Sequence, residues 1–134
     1  MSLVSVIIPT YNRSDRVPAA VASVLGQSFR EREVLVVDDG SSDGTAEALE
    51  AFRGRIRVLR HDRNRGVSAA RNTGIRASTA PLVAFLDSDD RWLPGKLEAQ
   101  VRFFRDHPEA VACQTREIWV RRGRRVNPAH RHLK

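Results

Sequence analysis

The stretch LVAFLDSDD at residues 82–90 joins a five-residue apolar run to a segment with three carboxylates in four positions. A short run that is apolar at every position is typical of a strand covered on both faces, as strands of a parallel sheet are. Two earlier stretches have a similar form, VSVIIPTYN at residues 4–12 and VLVVDDG at residues 34–40. These three stretches predict buried parallel strands that each end in polar or acidic residues.

Segments of helical period separate these strands. Apolar residues at helical spacing predict a first helix: Val17, Ala20, Val21, Val24 and Leu25. Asp15 is its expected N-cap, because this choice places Pro18 in the first turn, where no backbone N–H is missed. Asp43 is expected to cap a second helix, a third covers about residues 67–77, and Pro94 opens a fourth. The alternation predicts an α/β fold, a three-layer α/β/α arrangement around a mainly parallel sheet.

The remaining runs predict the edges of this sheet. The run RIRVLR at residues 55–60 intersperses arginine with apolar residues, as a half-exposed edge strand does. Further strands are predicted at residues 110–113 and 117–126, the latter with a hairpin through Arg122 and Gly123.

Composition indicates one domain and leaves the partner open. The chain has 134 residues, 41% of them hydrophobic, and a net charge of +7. No apolar run approaches the roughly 20 residues needed to span a bilayer, and the sequence shows no signal-peptide pattern. Cys113 is its single cysteine. Together these features favour a soluble cytoplasmic protein. The arginine surplus, part of it in residues 116–134, indicates an anionic partner or simply solvated faces. Aromatic residues do not interleave with the arginines, so no nucleic acid is expected as a partner.

The polar clusters that follow the strands should meet at one rim, where ligands of open α/β sheets bind. These clusters are Thr10-Tyr11-Asn12, Asp38-Asp39, His61-Asp62-Arg63-Asn64 and Asp87-Ser88-Asp89-Asp90. Three carboxylates in the last cluster repel one another unless a cation lies between them, and hard oxygen ligands suit Mg²⁺ or Mn²⁺. The alternative is a set of turn formers and N-caps before Trp92, whose ring we expect to pack rather than bind substrate.

Two further side chains are candidates for ligand contacts. Asp39, at the end of the second strand, either accepts hydrogen bonds from a ribose or base edge or belongs to a turn. Arg71 falls on the buried stripe of the third helix and needs an anionic partner, either a ligand or an ion pair with Asp38 or Asp39. Tyr11 either stacks on a base or covers the sheet end, and His61 is expected to be solvated.

Four segments occur in an order and spacing that resemble those of family 2 glycosyltransferases, which have the Rossmann-like GT-A fold. The segments are VSVIIPTYNR (4–13), EVLVVDDGSSDGT (33–45), NRGVSAARNTGI (64–75) and VAFLDSDDRW (83–92). The resemblance implies inverting transfer of a sugar from a nucleoside-diphosphate sugar, a UDP-sugar as first choice, to a hydroxyl of a carbohydrate or lipid-linked acceptor. It also implies a divalent cation, Mn²⁺ or Mg²⁺.

The resemblance also implies roles for individual residues. Residues matching the nucleotide-sugar site are Pro9, Thr10, Tyr11, Asp39, Arg71, Asp87 and Ser88. Asp87-Ser88-Asp89 corresponds to the family's DXD motif, with Asp89 as the first metal ligand and Asp87 nearer the ribose or the metal waters. The family's general base is a carboxylate well downstream, and no residue here sits in that motif, so the base is expected outside this chain.

Family catalytic domains are generally longer than this sequence. We therefore expect residues 1–134 to form a single nucleotide-sugar-binding domain, truncated after the donor-binding half and without the acceptor-binding part. Self-association through exposed sheet edges and attachment to the cytoplasmic face of a membrane are both open.

Two other classes of function fit parts of the sequence. A nucleotidyltransferase uses a similar sheet and metal site, but Thr10-Tyr11-Asn12 stands where a Gly-rich phosphate loop is expected. A non-catalytic nucleotide- or anion-binding module would rely on the arginines of residues 121–134.

Overall fold

The structure, a computed structural model, describes residues 2–109, 112–114 and 118–121. Its elements in chain order are β1 (Val4–Thr10), α1 (Val17–Leu25), β2 (Arg32–Asp38), α2 (Thr45–Glu50), β3 (Arg57–Arg60), α3 (Val67–Ala77), β4 (Leu82–Phe85), α4 (Lys96–Asp106), β5 (Ala112–Gln114) and β6 (Ile118–Arg121). None of the described helices is both long and apolar enough to cross a bilayer.

The strands form one mainly parallel sheet in the order β3-β2-β1-β4-β6-β5. The strands β1 to β4 run parallel to one another, β6 is antiparallel to β4, and β5 is antiparallel to β6. The strand β3 lies at an edge, as its arginine-rich pattern predicts. The two predicted carboxy-terminal strands correspond to β5 and β6, while the predicted hairpin at residues 122–123 lies outside the described residues.

Helices cover both faces of the sheet, which confirms the three-layer α/β/α arrangement. Alternate residues of β1 point to opposite faces, so Val6 and Ile8 pack with α1, α2 and α4, whereas Ile7 packs with Ala70 of α3. Each of these strand residues is fully buried, and burial of one such side chain stabilises the fold by about 1.5 to 3 kcal/mol. The face under α3 thus carries a smaller core than the opposite face.

The helix α1 starts one residue later than predicted, and the predicted cap residue does not cap it. The helix begins at Val17 with Arg16 at the N-cap position and no side-chain cap hydrogen bond, so Asp15 does not cap it. Backbone bonding explains the difference, because the Val17 N–H donates to the Arg13 carbonyl at 2.8 Å and a turn already leads into the helix. Pro18 does lie in the first turn.

Two other helix starts also differ from the prediction. Gly44 occupies the N-cap position of α2, although the Asp43 carboxylate still accepts a hydrogen bond from the Thr45 N–H at 3.0 Å. The helix α4 begins at Lys96, so Pro94 precedes it instead of opening it. The helix α3 begins and ends where its pattern predicts.

Candidate functional site

The parallel strands bring their carboxyl ends to one rim, as the sequence predicts. Thr10 pairs in register with Asp38, and Asp38 pairs with Arg60, so β1, β2 and β3 end side by side. The Leu86 N–H donates to the Ile7 carbonyl at 3.0 Å, which places the start of the acidic cluster next to the other side of β1. The polar residues after four strands therefore share one edge of the sheet.

A cleft of about 240 Å³ opens at this rim between the end of β1 and the start of α3. Its lining residues are Pro9, Thr10, Tyr11, Asp39, Asn64, Gly66, Val67 and Ala70. A larger groove of about 320 Å³ lies beside α4 and residues 28–31, which precede β2. Because ligands of parallel sheets bind beyond the carboxyl ends of the strands, the rim cleft is the candidate site.

The wall of the cleft offers polar and aromatic groups. Thr10 is buried, and its Oγ1 has no hydrogen-bond partner among the described residues. A buried hydroxyl without a partner is costly unless a ligand or water completes it. The ring of Tyr11 is 42% exposed at the same cleft. The cleft thus presents a hydroxyl and an aromatic surface to a ligand.

Asp39 is a buried side chain that lines the cleft and receives several hydrogen bonds. It is 3% exposed, and its carboxylate accepts hydrogen bonds from His61 Nδ1 at 2.7 Å, Arg65 N–H at 2.9 Å and Gly66 N–H at 2.8 Å. Burial opposes the charged form, but the three hydrogen bonds outweigh it, so the pKa of Asp39 lies below its usual range. The carboxylate is therefore ionised and fixed in place.

The structure contradicts the expectation that His61 is solvated. His61 is buried, and its Nε2 lies 2.8 Å from Thr73 Oγ1 while its Nδ1 contacts Asp39. These partners are 12 and 22 positions away along the chain. No local pattern around His61 could identify them, which is why sequence analysis missed this residue.

Close backbone packing supports the same turn. Gly40, which follows Asp39, has a φ of +79°, and a Cβ there would lie 2.4 Å from the carbonyl carbon of Arg63. Asn12 ties β1 to this turn, because its N–H donates to Ser41 Oγ at 2.9 Å. The loops after β1, β2 and β3 therefore form one packed unit around the cleft.

Of the two alternatives for Arg71, the ion pair with Asp38 or Asp39 is wrong. Asp38 instead pairs with Arg60, whose Nε lies 3.4 Å from its Oδ2, and Asp39 is occupied by His61. Both acids are thus satisfied by β3 and the loop after it, because β3 pairs in parallel with β2.

Arg71 turns toward the acidic cluster. Its Nη2 lies 3.5 Å from Asp87 Oδ1, and its guanidinium carbon lies 5.6 Å from the ring centroid of Phe85. The Arg71 Nε is buried without a hydrogen-bond partner among the described residues. A buried donor without a partner is costly unless a ligand or water completes it.

The cluster Asp87-Ser88-Asp89-Asp90 is built differently from Asp39. The carboxylates of Asp87, Asp89 and Asp90 are exposed, and one oxygen from each lies within 4.8 Å of the others, whereas Ser88 is buried. The Asp90 N–H donates to the Asp87 carbonyl at 3.0 Å, so a tight turn holds the acids together. Hard oxygen donors with room for water and phosphate ligands fit Mg²⁺ or Mn²⁺. Asp90 thus lies beside Asp87 and Asp89, the two predicted ligands, in this candidate cation site.

Solved structures first define the class of this fold. The crystal structure of S. aureus TarS 1-349 in complex with UDP-GlcNAc has a TM-score of 0.77 and 29% identity, covering 93% of this chain and 37% of that one. The mannosyltransferase PcManGT from Pyrobaculum calidifontis in complex with GDP-Man and Mn2+ has a TM-score of 0.76 and 29% identity. The match covers 84% of this chain and 35% of that one. The described residues have the α/β fold of GT-A glycosyltransferases.

Sequence comparison then gives the family. The glycosyl transferase family 2 model matches residues 5–133, and the chain belongs to this family. The Escherichia coli UDP-Glc:alpha-D-GlcNAc-diphosphoundecaprenol beta-1,3-glucosyltransferase WfgD is 43% identical over 100 residues, 74% of this chain and 40% of the relative. The putative teichuronic acid biosynthesis glycosyltransferase TuaG of Bacillus subtilis is 44% identical over 104 residues, 75% of this chain and 41% of the relative. The chain thus matches about two fifths of the length of these relatives, at their amino-terminal part.

Proposed function

We propose that residues 1–134 form one donor-binding domain of an inverting, metal-dependent glycosyltransferase of polysaccharide biosynthesis. The donor is a nucleoside-diphosphate sugar, with a UDP-sugar as first choice. The observation that carries the proposal is the position of α3: Ala70 lines the rim cleft, and the next residue, Arg71, pairs with Asp87 of the acidic cluster. One helix therefore joins a cleft suited to a nucleoside with a cluster suited to a cation, as a bound nucleoside diphosphate requires.

The nucleoside occupies the cleft in this proposal. Pro9 and Tyr11 offer surface against which a base can stack, and the unpartnered Thr10 hydroxyl offers a hydrogen bond. Asp39 lines the same cleft with a fixed negative charge that accepts from a base or ribose donor. The complex of TarS with UDP-GlcNAc supports a uridine nucleotide as the ligand of this cleft.

The cation binds at the acidic cluster. Asp89 and Asp87 are its proposed ligands, and Asp90 is close enough to contribute. The buried Ser88 between them is proposed to contact the nucleotide sugar. Three carboxylates and the Arg71 guanidinium carry a net charge of about −2, which a divalent cation balances. When bound, Mn²⁺ or Mg²⁺ supplies Lewis-acid stabilisation of the departing diphosphate. The Mn2+ complex of PcManGT supports this assignment.

Arg71 contributes positive charge where the leaving group develops negative charge. Its unpartnered Nε is a donor for a phosphate oxygen, and Phe85 beneath the guanidinium limits its movement. Transfer with inversion needs in-line attack by the acceptor hydroxyl and a general base, which we place outside the described residues.

The acceptor is proposed to be a carbohydrate or a lipid-linked sugar. The name of WfgD specifies a diphosphoundecaprenol-linked acceptor, which supports the second of these. A lipid-linked acceptor would bring the protein to the cytoplasmic face of the membrane as a peripheral protein. Self-association of this domain is compatible with that location, and no nucleic-acid partner is proposed.

Calorimetric titration of the chain with UDP, with and without Mn²⁺, tests the proposal. We expect binding that is enhanced by Mn²⁺ and an Asp89→Ala variant whose Mn²⁺-dependent affinity falls by about a hundredfold, since even indirect partners of a metal ligand are worth about 10- to 100-fold. The matched control is Asp106→Ala, which removes an exposed acid of α4 and should bind like the wild type. Undiminished Mn²⁺-dependent affinity in Asp89→Ala would refute the metal assignment, and no nucleotide binding by the wild type would refute the function.

A further inference from the structure

His61 joins three elements that frame the cleft. It follows β3, its Nδ1 contacts Asp39 after β2, and its Nε2 contacts Thr73 in the middle of α3. The imidazole is 8% exposed, and it does not line the cleft. A buried titratable side chain that bonds at both ends is a fixed connection between β2, β3 and α3.

The Asp39 carboxylate can accept one more hydrogen bond beside those it receives from the protein. Each carboxylate oxygen has two lone pairs. Oδ1 accepts from His61 and from the Arg65 N–H, whereas Oδ2 accepts only from the Gly66 N–H among the described groups. Asp39 lines the cleft, so Oδ2 retains one acceptor position for a donor group of a ligand.

The Asp39 carboxylate determines which tautomer of His61 fits this arrangement. A threonine hydroxyl both donates and accepts, so it satisfies Nε2 in either charge state of the ring. With Nε2 satisfied by Thr73, Nδ1 carries a proton and donates to the carboxylate, while the other tautomer would set a lone pair against a negative charge. His61, itself held by Thr73, therefore adds a side-chain hydrogen bond at Oδ1 to the two backbone hydrogen bonds that orient the carboxylate.

We propose that His61 is a positioning residue for the nucleoside. Together with Thr73 it holds the Asp39 carboxylate so that the free acceptor position of Oδ2 meets an N–H or O–H donor of the nucleoside in the cleft. The inference rests on the proposed function of this cleft, and it assigns no contact between His61 and the ligand.

The test uses variants that remove or keep one end of this connection. His61→Leu removes both hydrogen bonds, His61→Asn keeps a short amide donor toward Asp39, and Thr73→Val removes only the hydroxyl. We expect the UDP affinity in the presence of Mn²⁺ to fall about tenfold in His61→Leu and about threefold in Thr73→Val. These magnitudes follow from the typical free energy of hydrogen bonds to charged groups. The affinity of His61→Asn should lie closer to that of the wild type. His107→Asn, the same exchange at an exposed histidine after α4, is the control and should bind UDP like the wild type.

A second measurement separates positioning from general loosening of the fold. Binding of Mn²⁺ alone, followed by its electron paramagnetic resonance signal, reports on the acidic cluster and should be unchanged in all four variants. Equal loss of Mn²⁺ and UDP binding would overturn the proposal, because it would show a structural role. Wild-type UDP affinity in His61→Leu and Thr73→Val would also overturn it. A wild-type chain that binds no UDP would instead refute the proposed function itself.

Discussion

Two acidic sites lie at the same rim, and they are built in opposite ways. Asp39 is buried and receives three hydrogen bonds from the protein, whereas Asp89 is exposed in a cluster with Asp87 and Asp90. The protein itself stabilises the charge of Asp39. The repulsion within the exposed cluster is relieved only in part, by Arg71 at 3.5 Å from Asp87. The protein therefore satisfies the charge of Asp39 by itself, whereas the exposed cluster would be balanced by the proposed cation.

The largest expected difference between the two sites is in the free energy of unfolding. Asp39→Ala leaves the His61 imidazole and two buried N–H groups without their acceptor, so we expect a loss of about 3 kcal/mol. Asp89→Ala removes an exposed, repelled charge and should change the stability by less than about 0.5 kcal/mol. Urea denaturation of both variants measures the difference. Similar losses of unfolding free energy in the two variants would show that the protein does not stabilise Asp39 more than Asp89.

The turn after Asp39 gives a second, smaller contrast. Gly40→Ala combines a positive φ with a Cβ placed 2.4 Å from Arg63, and we expect a loss of about 2 kcal/mol. Gly54→Ala is the matched control, because Gly54 has a φ of +86° but open space around it, and it should cost about 1 kcal/mol. The difference between the two unfolding free energies isolates the contact with Arg63. Equal costs would show that this contact is not tight in solution.

The third contrast appears on acidification. The folded-state pKa of Asp39 is lowered, since three hydrogen bonds outweigh the effect of burial. Such a group contributes stability above its unfolded pKa, about 3.9, and this contribution is lost as the pH falls through the folded-state value. We expect wild-type stability to fall as the pH drops below about 4, and we expect Asp39 to contribute to that fall.

Denaturation as a function of pH in Asp39→Asn checks this expectation. The variant should retain only the slope of other acids with lowered pKa values, such as Glu33, where burial is outweighed by hydrogen bonds from Ser5 and Thr79. An unchanged slope in Asp39→Asn would contradict the assignment to Asp39.

The elements of the fold follow from the sequence more readily than the contacts at the site. The helix at residues 67–77 has the predicted limits, because residue spacing of helical period is a local signal. The predicted cap of α1 is wrong, since a turn from Arg13 replaces a side-chain cap. The motifs also place the lining residues Thr10, Tyr11 and Asp39 at one rim, and the structure brings them to one cleft.

The pairing of side chains could not be predicted in the same way. The sequence leaves an ion pair of Arg71 with Asp38 or Asp39 open beside a contact with a ligand. The structure excludes the ion pair, because β3 and the loop after it supply partners for both acids, and only the sheet order reveals that. The burial of His61 depends on Thr73 and Asp39, which belong to other elements. Long-range pairing of this kind is a property of the packed sheet and leaves no periodic trace in the sequence.

The central position of β1 has a consequence for the order in which the molecule assembles. The strand β1 pairs Val4 with Arg32 of β2 on one side and with Leu82 of β4 on the other. The second pairing closes a much longer loop and is therefore more costly in chain entropy. Asp39 follows β2 and Asp87 follows β4, so the two halves of the site meet only when this costly contact forms. A chain that has formed the β1–β2 pair alone has part of the proposed nucleoside site but lacks the proposed cation site. A ligand that needs both sites would bind only the completely folded molecule.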